Sequence, residues 1–202
     1  PAPFTVISSE DVDEERSRPL REREWSIRYV HALQHGAKKQ LVVWPYHTLI
    51  GGIGHGLDPE LWSAIFWHSL ARRTQPLWLT KGSVPLTEHY SIFQPEVPVP
   101  EHPGAAKEVG LFDLLEDIDL LVIAGEAESH CVLETVEDLV EEFGHRPEVL
   151  SRVLLLRDCM SSVIHPEVDF HAIAQEHFVD FAGRGVRFAD STDDLAMLAG
   201  HG

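Results

Sequence analysis

Cysteine is scarce in this 202-residue chain: Cys131 and Cys159 are the only two. Two thiols cannot make a disulfide framework, so the composition fits a reducing compartment, and the cytoplasm is the expected location. Basic residues are few as well, with 16 Lys+Arg against 33 Asp+Glu and a formal net charge of −17. Such a field repels phosphate backbones and anionic lipid, which leaves nucleic acid and membrane surfaces as poor partners. No apolar run approaches the roughly 18 to 20 residues of a membrane helix. An initiator Met is also lacking: Pro1-Ala2-Pro3-Phe4 reads neither as a start nor as a signal peptide, so the expectation is a piece that begins partway through a longer protein. What is present, 44% hydrophobic residues, is enough to bury a core of one domain.

The hydrophobic runs are short and continuous. Leu41–Trp44, Pro76–Thr80, Ile118–Ala124 and Val149–Leu156 read as buried strands, with Gly185–Phe188 as a weaker last one. Between them the period turns helical. Leu61, Trp62, Ile65, Phe66 and Leu70 share a face after Asp58-Pro59, an N-cap followed by a proline at the first helical position. Val132, Leu133, Val136, Leu139, Val140 and Phe143 do the same before Gly144. Further helices are expected at 22–35, 107–116, 170–181 and 193–198. This alternation predicts a three-layer α/β/α fold with a parallel sheet, with Trp62, Phe66, Trp67 and Trp78 in its core. The acidic stretch Glu10–Glu15 reads as a solvated surface loop, and Gln94–Pro103, with four prolines, as an irregular loop that would serve as a lid or an oligomer arm.

One segment carries chemistry. The strand 118–124 runs into Gly125 and a small-residue turn that delivers Cys131 to the start of an amphipathic helix. A thiolate there gains from the helix N-terminal partial charge, and open backbone N–H groups of the turn would hold an oxyanion. The alternative is a buried small hydrophobe, and spacing alone leaves both open.

Gly125-Glu126-Ala127-Glu128-Ser129-His130-Cys131-Val132, with Thr135 and Asp138, resembles the nucleophile motif of the nicotinamidase/isochorismatase-like cysteine hydrolases. Upstream, Trp44-Pro45-Tyr46-His47 resembles the Trp-Pro-x-His motif of that family, and Lys81-Gly82 followed by Tyr90-Ser91-x-Phe93 resembles its lysine motif. The three stand in family order over about residues 40–160. The resemblance implies an isochorismatase-like (Rossmann-like) hydrolase fold over 1–202, a single domain N-terminally truncated by a strand–helix–strand. It implies Cys131 as nucleophile and Lys81 as the group assisting proton transfer. The amides of Ala127 and Cys131 would form an oxyanion hole, with a cis peptide between Glu126 and Ala127. Trp44 and Tyr90 would line the substrate pocket, and His47 would ligate a divalent metal (Zn, Mn or Fe).

The implied reaction is hydrolysis of the C–N bond of a small planar amide, nicotinamide-like, through a thioester; the implied partners are that amide and further copies of the chain. The family pattern also has an Asp at the end of a first strand, then an Asp-x-His metal pair, and neither stands ahead of the Trp-Pro-x-His motif here. That departure motivates one alternative, a non-catalytic binding or oligomerisation scaffold; an isochorismatase-type vinyl-ether hydrolase is a second alternative within the family, and the presence of Cys131 argues against it.

Other candidates are weaker. His31 and His35 are four apart but lack the internal Glu of a zinc protease and read as surface histidines. Gly51-Gly52-x-Gly54-x-Gly56 lacks the spacing of a phosphate loop and would shape the turn after His47, with His55 behind it. Cys159 lacks a small-residue turn and reads as structural.

Overall fold

The structure, a computed structural model, describes residues 1–36, 39–116, 118–194 and 198. The chain falls into two compact units, Pro1–Thr80 and Lys81–Gly202.

In the first unit β1 (Val6–Ile7) pairs antiparallel with β2 (Leu41–Val42), Val6 opposite Val42 and Ile7 opposite Leu41. The 41–44 run was expected in a parallel sheet. Instead Thr5 and Phe4 extend the antiparallel pairing to Val43, so a local partner takes the strand's hydrogen bonds. The helices α1 (Ser9–Asp13) and α2 (Arg23–Gly36) follow β1, and Ile7, Val12 and Val30 form a small core with Ile27, Leu41 and Val43 around it. Helix α1 corrects the expectation of a loop at 10–15. Ser8 and Asp11 form a capping box, Ser8 N–H donating to Asp11 at 2.9 Å and Asp11 N–H to the Ser8 hydroxyl at 3.3 Å. The Ser8 N–H and hydroxyl, both donating to the carboxylate, and then Arg16 hold the Asp11 carboxyl down to about 2. The acidic residues there thus start a helix rather than merely facing water.

Helix α3 (Pro59–Arg72) begins as expected, with the Asp58 carboxylate accepting from the N–H groups of Glu60 and Leu61. Its aromatic face differs from expectation. Trp62 and Phe66 stack at 5.5 Å, yet Trp62, Phe66, Trp67 and Trp78 are all exposed. Pro76–Thr80, expected as the next strand, is not a strand among the described residues.

The second unit is the α/β part. Its strands β3 (Leu121–Glu126), β4 (Val153–Ser161) and β5 (Arg187–Ala189) form a parallel sheet in that order, joined through α5 (Leu133–Phe143) and α7 (Phe170–Gly183). The central strand β4 buries Val153–Leu156 on both faces, the reason it reads as a continuous apolar run. On one face Val153 and Leu155 meet Val136, Leu139, Val140 and Phe143 of α5, with Ala174 and Phe178 of α7 in the same cluster. Helix α4 (Val109–Glu116) adds Phe112, stacked on Phe93 at 4.1 Å. On the other face Leu154 and Leu156 join Ala189, with Leu120, Cys159 and Leu198 packed beside them.

Two strand boundaries move. β3 starts at Leu121 rather than Ile118. The start of the 149–156 run belongs instead to the short helix α6 (Pro147–Leu150), where Pro147 occupies the first helical turn and the Arg146 carbonyl accepts from Val149 and Leu150. Residues 94–103 are irregular, and Glu96 N–H donates to the Glu88 carbonyl while Val99 pairs with Ala105, both buried. The helix expected at 193–198 falls largely on 195–197, outside the described residues. Among the described residues no helix is long and apolar enough to cross a membrane.

Candidate active site

At the end of β3 the backbone leaves ordinary geometry. Gly125 takes φ +133°, a value L side chains rarely adopt, and the peptide between Glu126 and Ala127 is cis. Residues Glu128–Val132 then form a π-helical turn: the Ala127 carbonyl accepts from His130 and Val132, each at 3.1 Å, and Leu133 N–H reaches the Glu128 carbonyl. Wide turns of this kind cluster at functional sites. Cys131 sits in the turn, and α5 begins at Leu133, two residues later than the expected helix start.

Cys131 is half-buried, and a lysine faces it. Lys81 Nζ donates to the carbonyls of His89 and Tyr90 at 2.8 and 2.7 Å and to Cys131 Sγ at 3.1 Å. An ammonium has three protons, and three acceptors surround this one. The three contacts use all three protons of the ammonium and leave Nζ no lone pair with which to act first as a base.

His89, which the sequence reading passed over, lies beside this lysine. Gly82 N–H donates to its Nδ1 at 3.5 Å, and its Nε2 is buried without a hydrogen-bond partner among the described residues. Burial first, and then the Lys81 charge, push its pKa below the usual imidazole value, against Glu108 and Asp138.

The other side of the turn is held by side chains that periodicity could not reveal. Glu128 is buried and accepts from His171 Nδ1 and Gln175 Nε2, each at 2.8 Å, and from the Ser162 hydroxyl. Ser129 Oγ accepts from Val163 N–H at 3.1 Å, and the buried His130 ring meets Tyr90 and Phe170 edge-on. His171 is raised above its ordinary pKa by the bond to Glu128 and by that carboxylate's charge. Further along α5, Thr135 Oγ1 accepts from Ile92 N–H and Asp138 accepts from the Gln94 amide, tying the segment after Lys81 to the helix that follows Cys131. Only the small-residue turn marked Glu128 in the sequence; its partners lie 34 to 47 residues away.

The expected site residues are thus distributed as follows. Lys81, Tyr90, Glu126, Ala127 and Cys131 lie together in the second unit. Tyr90 is buried, its hydroxyl donating to Glu88 at 3.0 Å, and the Glu126 carboxylate accepts from Ser161. Trp44 and His47 belong to the first unit, ring edge to ring at 6.2 Å, and His47 Nδ1 contacts the Pro45 carbonyl. Among the described residues no group of three or more His, Cys, Asp and Glu could hold a metal ion. His47 is a single imidazole, so these residues do not fit the expected metal. His31 contacts Asp13 and stacks on His35.

A parallel β–α–β sheet with a cysteine in the turn after one strand and a lysine against it defines a class of α/β fold. No family model matches the chain and no curated protein matches it by sequence. Among solved structures, the yeast nicotinamidase bound to the inhibitor nicotinaldehyde is similar, with a TM-score of 0.53 at 12% identity over 94% of this chain and 69% of that one. A second structure of the yeast enzyme has a TM-score of 0.49 at 16% identity, over 76% of this chain and 61% of that one. The nicotinamidase/pyrazinamidase of Acinetobacter baumanii has a TM-score of 0.48 at 19% identity, over 80% of this chain and 70% of that one. The chain has the nicotinamidase fold.

Proposed function

We propose that this chain is a cysteine amidohydrolase that cleaves the C–N bond of a small planar amide of the nicotinamide class through a thioester on Cys131. The observation that carries the reading is Lys81 Nζ at 3.1 Å from Cys131 Sγ in the turn that ends β3. The fold shared with the yeast nicotinamidase supports it.

The proton balance can be written with these two side chains. The Cys131 thiolate, paired with the Lys81 ammonium, attacks the amide carbon, and the C–S bond forms as negative charge moves to the carbonyl oxygen. The N–H groups of Ala127 and Cys131 are the donors for that oxyanion. The intermediate collapses with cleavage of the C–N bond, and Lys81 gives its proton to the departing nitrogen. Ammonia and the thioester result, with Lys81 neutral. Lys81 then takes a proton from water as the hydroxide adds to the thioester, and collapse releases the carboxylic acid and restores the thiolate–ammonium pair. The acid passes its proton to ammonia.

The test is ammonia release from nicotinamide and benzamide by the full chain, with mass spectrometry of the acyl adduct. Turnover that Cys131→Ala abolishes, with the acyl mass on Cys131, supports the reading. Turnover undiminished in Cys131→Ala overturns it. No turnover together with an ordinary alkylation rate at Cys131 would leave the fold as a binding scaffold.

A further inference from the structure

Three residues before the candidate nucleophile, in the same π-turn, stands a carboxylate that the proposed chemistry does not use. Glu128 is 5% exposed, and burying a carboxylate costs several kcal/mol unless donors replace its water. Three donors do so here. Ser162 comes from the segment just past β4; His171 and Gln175 come from α7, four residues apart and therefore on one helical face. A turn that needed only packing would be served as well by an apolar side chain, since replacing a buried ionic group by a hydrophobic one is often neutral or stabilising. A carboxylate adds direction: its oxygens must meet donors from two separate elements. Neighbouring bonds act in the same sense, with Ser129 Oγ receiving Val163 N–H and the Ala127 carbonyl receiving His130 and Val132. Lys81 supplies the charge on one side of Cys131, while the position of the turn itself is set from the other.

We propose that Glu128, gripped by Ser162, His171 and Gln175, is a positioning residue that fixes the π-turn so that Cys131 Sγ is held against Lys81. It touches neither substrate nor sulfur. The proposal rests on the reading of Cys131 as a reactive thiolate and deepens it by naming what aims that group. The side chain of His171 is 65% exposed, so the grip can be loosened from outside without opening the core.

The experiment measures the second-order rate of Cys131 alkylation by iodoacetamide in the full chain, with Cys159 as the internal reference. A displacement of about 1 Å can cost up to 100-fold in rate, so Glu128→Ala is expected to slow Cys131 by about 10-fold or more with Cys159 unchanged. Glu128→Met fills similar space without an acceptor for Ser162, His171 or Gln175 and is expected to stay as slow as Glu128→Ala, whereas a simple packing defect would be repaired by it. On the amide substrate the loss should fall on kcat and spare KM. Alkylation within about twofold of wild type in a folded Glu128→Ala overturns the proposal. Should Glu128→Ala not fold, the double variant His171→Ala/Gln175→Ala decides: slowed alkylation supports the grip and an unchanged rate refutes it. Because alkylation needs no substrate, failure of amide turnover would sink the hydrolase reading and leave this test standing.

Discussion

Lys81 and Cys131 are 50 residues apart in sequence and 3.1 Å apart in space, and the same ammonium also holds two carbonyls of the segment 89–90. Removing it therefore does two things: it takes a charge from the sulfur and loosens the segment that ends at Tyr90. Lys81→Ala is expected to slow Cys131 alkylation at pH 7 by about 10- to 100-fold, and amide turnover by about 100- to 10,000-fold, the range of a lost acid–base group. Lys81→Arg should keep more alkylation than turnover, because guanidinium keeps the charge and gives up no proton. Equal alkylation of wild type and Lys81→Ala would rule out the thiolate–ammonium pair.

The Glu128–His171 contact gives a pH dependence with a definite sign. The imidazole pKa lies above the usual 6.5, chiefly through the hydrogen bond to Glu128, so the folded state binds this proton more tightly than the unfolded one. The stabilisation is fully present below pH 6.5 and is lost as the pH rises through the folded value. In an NMR titration His171 is expected to show a midpoint above 6.5, and Glu128→Gln should bring it down toward 6.5. A midpoint indifferent to that substitution would show that the two groups do not meet in solution.

His89 should behave in the opposite sense. Its pKa is lowered, mainly by burial and secondly by Lys81, so its stabilising contribution is present above pH 6.5 and lost as the pH falls through the folded value. Lys81→Met is expected to raise the His89 midpoint, because it removes the second-largest cause of the lowering. A midpoint that did not move would place the lysine charge elsewhere.

The parts of the fold that were legible in sequence are those whose hydrophobic pattern is set by their own surroundings. The start of β4 is buried on both faces and reads as VLLL without alternation; Val132 and, in α5, Leu133, Val136, Leu139, Val140 and Phe143 are buried at helical spacing. The Gly125–Cys131 segment stands out because small residues between a strand and a helix are rare enough to notice. What stayed hidden depends on partners far along the chain or on short local chemistry. The two-residue β1 gives no periodic signal, yet it decides that 41–42 pairs antiparallel. Charge counting in 10–15 masked the Ser8–Asp11 capping box. Glu128 acquires its meaning only from Ser162, His171 and Gln175, and His89 only from the burial around it. The aromatic run of α3 has the spacing of a core face, but the strand expected to receive it is missing from the described residues.

That last difference leads to a paired prediction. Leu155 is fully buried in the first half of β4, whereas Trp67, on the helix whose pattern also reads as core, is 66% exposed. Cutting Leu155 back to alanine removes buried methyl groups and leaves a cavity that close-packed neighbours only partly fill, so Leu155→Ala is expected to cost about 2 to 5 kcal/mol. Trp67→Ala removes a larger side chain, but from a place where water already reaches most of it, and is expected to stay within about 0.5 kcal/mol of wild type. Urea unfolding followed by circular dichroism measures both without relying on the tryptophan signal. A Trp67→Ala cost near the roughly 3 to 5 kcal/mol of a core aromatic would mean that the apolar face of α3 is covered in solution, as its sequence pattern predicts.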